Sequence, residues 1–306
     1  MGRHHLPVAR TAELMADAFG APVSTGWLAS LQPRAKKLLE PFLEAARARV
    51  RHAGVAHFDE TGARVQGKLA WVHVASTGAV TLLHLAPARS GGSIEAGGIL
   101  GHGFNGVAVH AGLPAYRRYP VRHGLCNAHH LRELAGIAEA GGQDWPLRMA
   151  DLLVEMLVAV DGAKAAGKTS LNKWVLRGYR RRYRRLIARG VGLNPLPPPT
   201  GKRGRPAMGP VRSLLKRLDT YEDDVLRFAH DFTGSSRFVV NDGEPGKVEA
   251  NNTSIKNIKR TGRGFVNGAN YTTRIMLAKR RQNSGGSCIA IAVFTTNREE
   301  PACCLS

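Results

Sequence analysis

Few side chains in this sequence are placed to do chemistry, and they fall into three groups. Asp59 closes the apolar run Val55-Ala-His-Phe-Asp59 and is followed by Glu60-Thr-Gly62. A carboxylate held at the end of a strand suits a divalent cation, and paired cations can stabilise both oxygens of an in-line phosphoryl displacement. An Asp there also simply starts a turn, and the local pattern leaves both readings open. Cys126, His129 and His130 form the second group. A structural zinc ion takes four ligands, and no second Cys/His pair stands at suitable spacing. The third group is basic: from Gly162 to Leu218 there are 16 Lys and Arg and no acidic residue. Within it Arg180, Arg181, Arg182, Arg184 and Arg185 read as a helix that contacts phosphates, the other reading being a solvated face. Arg203-Gly-Arg205-Pro206 could enter the minor groove of A·T-rich DNA or serve as a charged linker. Trp145 and Trp174 read as core or helix-packing residues.

The whole composition agrees with a polyanionic partner. The chain has 306 residues with 44 Lys and Arg against 23 Asp and Glu, a formal net charge of +21. At 43% hydrophobic residues it has material for a buried core, which excludes wholesale disorder. Four cysteines, Cys126, Cys288, Cys303 and Cys304, form no disulfide framework. No apolar run reaches the roughly 18 residues of a membrane span. The expectation is a cytoplasmic protein with nucleic acid as the favoured partner and no membrane contact.

The elements that must position these groups can be read from hydrophobic spacing. Residues Arg10 to Ala18 and Ala35 to Ala53 read as helices, the second kinked or starting late at Pro41. Ser24 or Thr25 caps the segment after the break at Pro22. Leu69 to Ala75 and Ala79 to Leu85 flank Ser76-Thr-Gly78 as a β-hairpin. Gly106 to His110 reads as a buried strand, Ala128 to Glu139 and Leu147 to Val160 as helices, and Val211 to Phe232 as one further helix. The prolines from Pro195 to Pro206 exclude helix. The succession suggests an α/β core with a mixed sheet.

The motifs His57-Phe-Asp-Glu-Thr-Gly62, Trp71-Val-His-Val-Ala-Ser-Thr77, Val109-His110, Cys126-Asn-Ala-His-His-Leu-Arg-Glu133, Pro197 to Pro206 and Val225-Leu-Arg-Phe-Ala-His-Asp-Phe232 resemble the transposases of the insertion sequence 66 family over about residues 4 to 232. The resemblance implies a ribonuclease-H-like α/β fold with a basic helical insertion and three acids that bind two Mg²⁺ ions. Asp59 matches the first acid. The second belongs directly after Val107 to His110, where this chain has Ala111. A Cys-x-x-His element recurs after the second acid in several such groups, which assigns Cys126, His129 and His130 to shaping the region behind the site, with His129 or His130 reaching DNA or a carboxylate.

After Phe232 the pattern changes. Val248-Glu-Ala-Asn-Asn-Thr-Ser-Ile-Lys-Asn-Ile-Lys-Arg260, with Gly262-Arg-Gly-Phe-Val-Asn267 and Arg274-Ile-Met-Leu277, is similar to the end of transposases of the insertion sequence L-three family, where Glu249 matches the third acid. The resemblances divide the chain into a helical lead-in (1–54), a ribonuclease-H-like core with its basic insertion (55–232) and a C-terminal segment of different parentage (233–306). Residue 1 falls after the zinc-binding and helix-turn-helix regions of the first family, so specific recognition of transposon ends is not expected. They imply metal-dependent strand cleavage and strand transfer, impaired at Ala111, with Mg²⁺ held by Asp59 and Glu249. A second copy or an intact transposase is the candidate protein partner. The rival readings are a non-catalytic DNA-binding protein and the unstable product of a degenerate fused gene.

Overall fold

The computed structural model describes residues 6–65, 67–196, 208–232 and 290–295. These fall into two units, one holding the residues up to Gly106 with Arg118–Pro120 and the last strand, the other Val107–Arg117 and the described residues from Val121 to Phe232.

In the first unit, helices α1 (Val8–Phe19) and α2 (Thr25–Arg51) precede strands β1 (Val55–Val65), β2 (Lys68–Ser76) and β3 (Val80–Ala86), a short helix α3 (Gly91–Glu95), and the distant strand β6 (Ala290–Thr295). β1, β2 and β3 are antiparallel neighbours and β6 joins β3 in parallel, so the sheet is mixed. The expected hairpin forms, its turn locked by the Thr77 hydroxyl, which accepts the backbone N–H groups of Ala79 and Val80. β3 is buried along its whole length, the burial expected of a strand covered on both faces. Ser24 caps α2 by accepting the Trp27 N–H at 3.1 Å. α2 runs without a break through Pro33 and Pro41, contrary to the expected kink or late start. Both prolines are exposed, as are Ala29 and Lys37 one turn before them, so water can satisfy the carbonyls that the missing N–H groups release. Leu28, Leu43, Ala46 and Val50 supply the buried stripe of α2.

The second unit opens with β4 (Val107–His110), paired in parallel with β5 (Arg122–Leu125), and continues through α4 (Asn127–Gly141), α5 (Trp145–Ala165), α6 (Lys173–Leu193), α7 (Pro210–Thr220), α8 (Glu222–Val225) and α9 (Arg227–His230). The helix expected from Val211 to Phe232 is therefore three. The backbone leaves helical geometry at Tyr221 and Leu226, and Val225, Leu226, Phe228 and Ala229 beyond the first break are all fully buried. The architecture is α/β with a mixed sheet, consistent with a ribonuclease-H-like transposase fold. Among the described residues no helix is long and apolar enough to cross a membrane.

Candidate functional site

Asp59 lies in the middle of β1, opposite Val74, and not at a strand end. The strand continues because Thr61 and Ala63 are buried in register with Val72 and Ala70, and this pairing outweighs the turn tendency of Thr61-Gly62. Burial changes face at this point: Ala56 and Phe58 are buried before it, Thr61 and Ala63 after it, and Asp59 and Glu60 are half-buried between. Adjacent strand residues point to opposite faces, so the two carboxylates cannot share one ion. The Glu60 side chain is only 2% exposed and accepts Arg89 Nε at 3.0 Å, while the Arg89 guanidinium stands 5.0 Å from the Trp71 ring. Glu60 is thereby committed to a structural ion pair. Asp59 accepts the backbone N–H of Glu60 at 2.9 Å.

Ala111 follows β4 directly, as the sequence places it, and belongs to the second unit. Its neighbours hold the chain firmly. The Gly112 N–H donates to His110 Nδ1 at 3.1 Å, which puts the ring proton on Nε2, and Nε2 donates to His123 Nδ1 at 3.1 Å. His110 is fully buried against Tyr116, ring centroids 4.6 Å apart. Gly112 has φ of 99°, and a Cβ there would stand 3.1 Å from the Arg217 side chain, which itself chelates Glu133 at 2.5 and 2.6 Å. A side chain at 112 would be strained by the positive φ and would push the Arg217 side chain aside by a few tenths of an ångström.

His130 is 1% exposed; its Nδ1–H donates to Asn127 Oδ1 at 3.0 Å, and Asn127 Nδ2 donates to the Val225 carbonyl at 2.9 Å. It is a core residue that ties α4 to α8, which corrects the expectation that it could reach DNA or a carboxylate. Burial holds the imidazoles of His110 and His130 down to about 3, with the electrostatics of His123 and Arg117 adding for the first and of Arg217 and His129 for the second. Both are neutral in the folded chain and protonate near 6.5 when unfolded, so the unfolded state binds more protons between those values. Stability is therefore full above about pH 6.5 and falls as the pH drops toward 3, each histidine adding up to about 1.4 kcal/mol per pH unit. Urea midpoints measured from pH 7.5 down to 4.5 should fall, and His130→Asn should flatten the decline.

Among the described residues no three His, Cys, Asp or Glu side chains converge into a metal cluster. Asp59 offers one carboxylate and position 111 a methyl group. Glu249, Arg203 and Arg205 lie outside the described residues. The donor set among the described residues does not fit a pair of Mg²⁺ ions.

The arginines of α6 separate into two classes. Arg182 grips Glu155 through two nitrogens at 2.7 and 2.6 Å, holding that carboxyl below its usual range. Arg184 binds Glu222 at 2.7 Å, Arg180 pairs with Glu222 and Asp223, and Arg189 meets Asp144 at 2.8 Å. Arg177, Arg181 and Arg185 are exposed and, among the described residues, have no acidic partner. Trp145 is buried as expected, but Trp174 is 66% exposed and contradicts its reading as a packing residue. The signal for it was available in the helical spacing of Trp174, Arg177, Arg181 and Arg185, one charged face opposite Tyr183 and Ile187.

Residues 3–233 match the family described as Transposase IS66 family. No curated protein matches the chain. The second resemblance, in the C-terminal segment, lies outside the matched residues. Three quarters of the sequence thus follow one pattern, and the chain belongs to the IS66 transposase family.

Proposed function

We propose that this chain is a transposase-derived DNA-binding protein of an insertion sequence, acting in the cytoplasm, whose ancestral reaction is impaired. That reaction is metal-dependent cleavage of a DNA strand followed by attack of the freed 3′-hydroxyl on target DNA. The observation that carries the proposal is Ala111, directly after the buried strand β4, the position that in this reading corresponds to the family's second acid. Asp59 and Glu249 are the remaining acids in this reading. Losing one of three metal carboxylates removes much of the charge stabilisation that phosphoryl transfer requires. DNA affinity survives because it comes from cations. Arg181 and Arg185 are the first candidates for phosphate contact. Arg180, Arg182 and Arg184 reach DNA only by exchanging a carboxylate for a phosphate, and Arg203 and Arg205 supply a minor-groove contact.

The protein as written should retard a duplex DNA fragment at low ionic strength, with an affinity that falls steeply as salt rises. It should leave supercoiled DNA uncut with either Mg²⁺ or Mn²⁺. A failure to bind either duplex or single-stranded DNA at low salt would remove the DNA-binding half of the proposal, and metal-dependent nicking by the unaltered chain would remove the other half.

A further inference from the structure

We infer that the outer face of α6 is a binding surface for single-stranded DNA, on which Trp174 stacks an unpaired base while Arg177, Arg181 and Arg185 hold the phosphates. The inference rests on the DNA-binding reading above and deepens it by naming the form of DNA. Successive helix residues turn by 100°, so these four side chains lie within about 80° of one another on a line about 16 Å long. The stripe points away from the buried side of α6, where Tyr183, Ile187 and Gly190 pack. Its flanks are neutralised: Arg180, Arg182, Arg184 and Arg189 all pair with acids of the same unit. Among the described residues of α6, the arginines without an acidic partner therefore form one line of cations, at steps of one helical turn.

The aromatic residue sets the preference. Trp174 is 66% exposed on this line, and Lys173 Nζ and the Arg177 guanidinium stand 5.8 and 6.0 Å from its ring centroid. A duplex hides its base faces in the stack and offers such a ring nothing beyond phosphate. A single strand offers a π-face at every nucleotide, and an aromatic set among cations is the common device for holding it without regard to sequence. Exposed Lys168 and Lys173 extend the basic surface at the Trp174 end.

The test uses the full chain and fluorescence anisotropy with a labelled oligo-dT and a duplex of equal length, across a salt series. Trp174→Ala should weaken oligo-dT binding about tenfold and leave duplex binding within about twofold, while Trp174→Phe keeps most of the single-strand affinity. The triple variant Arg177→Gln, Arg181→Gln, Arg185→Gln should weaken both and lower the salt exponent for oligo-dT by about 2. Circular dichroism confirms that these surface variants are folded. Equal losses on both DNA forms with Trp174→Ala, or no loss on either, overturn the inference, as does duplex binding without oligo-dT binding. If the unaltered chain binds neither form, the DNA-binding reading itself falls.

Discussion

Ala111→Asp is expected to raise nicking of supercoiled DNA in the presence of Mg²⁺ or Mn²⁺ by at least about a hundredfold over the unaltered chain. The magnitude follows from what one preorganised charge contributes in a site where negative charge develops on transferring oxygens. The substitution should fold well. Ala111 is half-buried at the end of β4, so a carboxylate there keeps access to water. The chain on either side is already fixed by the Gly112 N–H on His110 and by the His110–His123 bond. Adding Asp59→Asn in the same background should abolish the gained activity, because it removes the first acid without changing side-chain volume. An Ala111→Asp protein that binds DNA normally and still does not cut would show that Ala111 is not the lesion, and would move the fault to the third acid. A chain that cuts before any change is made would show that another group completes the site.

What could be read in the sequence was what depends on local spacing. The β2–β3 hairpin, the buried strand β4 and the helices α4 and α5 follow from alternation and from three-to-four periodicity, and the structure keeps them. The failures come from longer range. Thr61-Gly62 looks like a turn until Trp71 and Val72 are placed opposite them. Pro41 looks like a helix break until its exposure is known. β5 has only four residues, two of them Arg122 and Gly124, and nothing in that run announces a strand until β4 lies beside it. The basic insertion reads as uncompensated because Glu155, Asp144, Glu222 and Asp223 all lie outside the stretch that they neutralise. The basic face shares this limit: the division of the α6 arginines into those paired with acids and those that, among the described residues, have no acidic partner needed the neighbouring helices.

Trp145→Ala should destabilise the second unit by about 3–5 kcal/mol, the cost of deleting a large aromatic from a packed core. Trp145 is completely buried at the start of α5. Its Nε1–H donates to Gln143 Oε1 at 2.6 Å, and Asn194 Nδ2 donates to the same oxygen at 2.9 Å and to the Gly190 carbonyl at 2.8 Å. The indole thus clasps the start of α5 to the end of α6, the helix that carries the basic stripe. Gly190 is the other half of the contact: a Cβ there would stand 3.0 Å from the Trp145 ring and 2.7 Å from Leu215. Gly190→Ala gains about 1 kcal/mol of helix propensity, but overpacking costs about 1–3 kcal/mol, so sterics win and the variant should also be less stable. Urea titration by far-UV circular dichroism measures both. A domain stabilised by about 5–15 kcal/mol retains little after the Trp145 change, so the transition should move to much lower urea and DNA binding should weaken with it. A loss under about 1 kcal/mol would contradict the packing described. A parent chain with no cooperative transition would favour the reading of an unstable fused-gene product, because a core with Trp145, Tyr183 and Phe228 fully buried predicts one melting event for this unit.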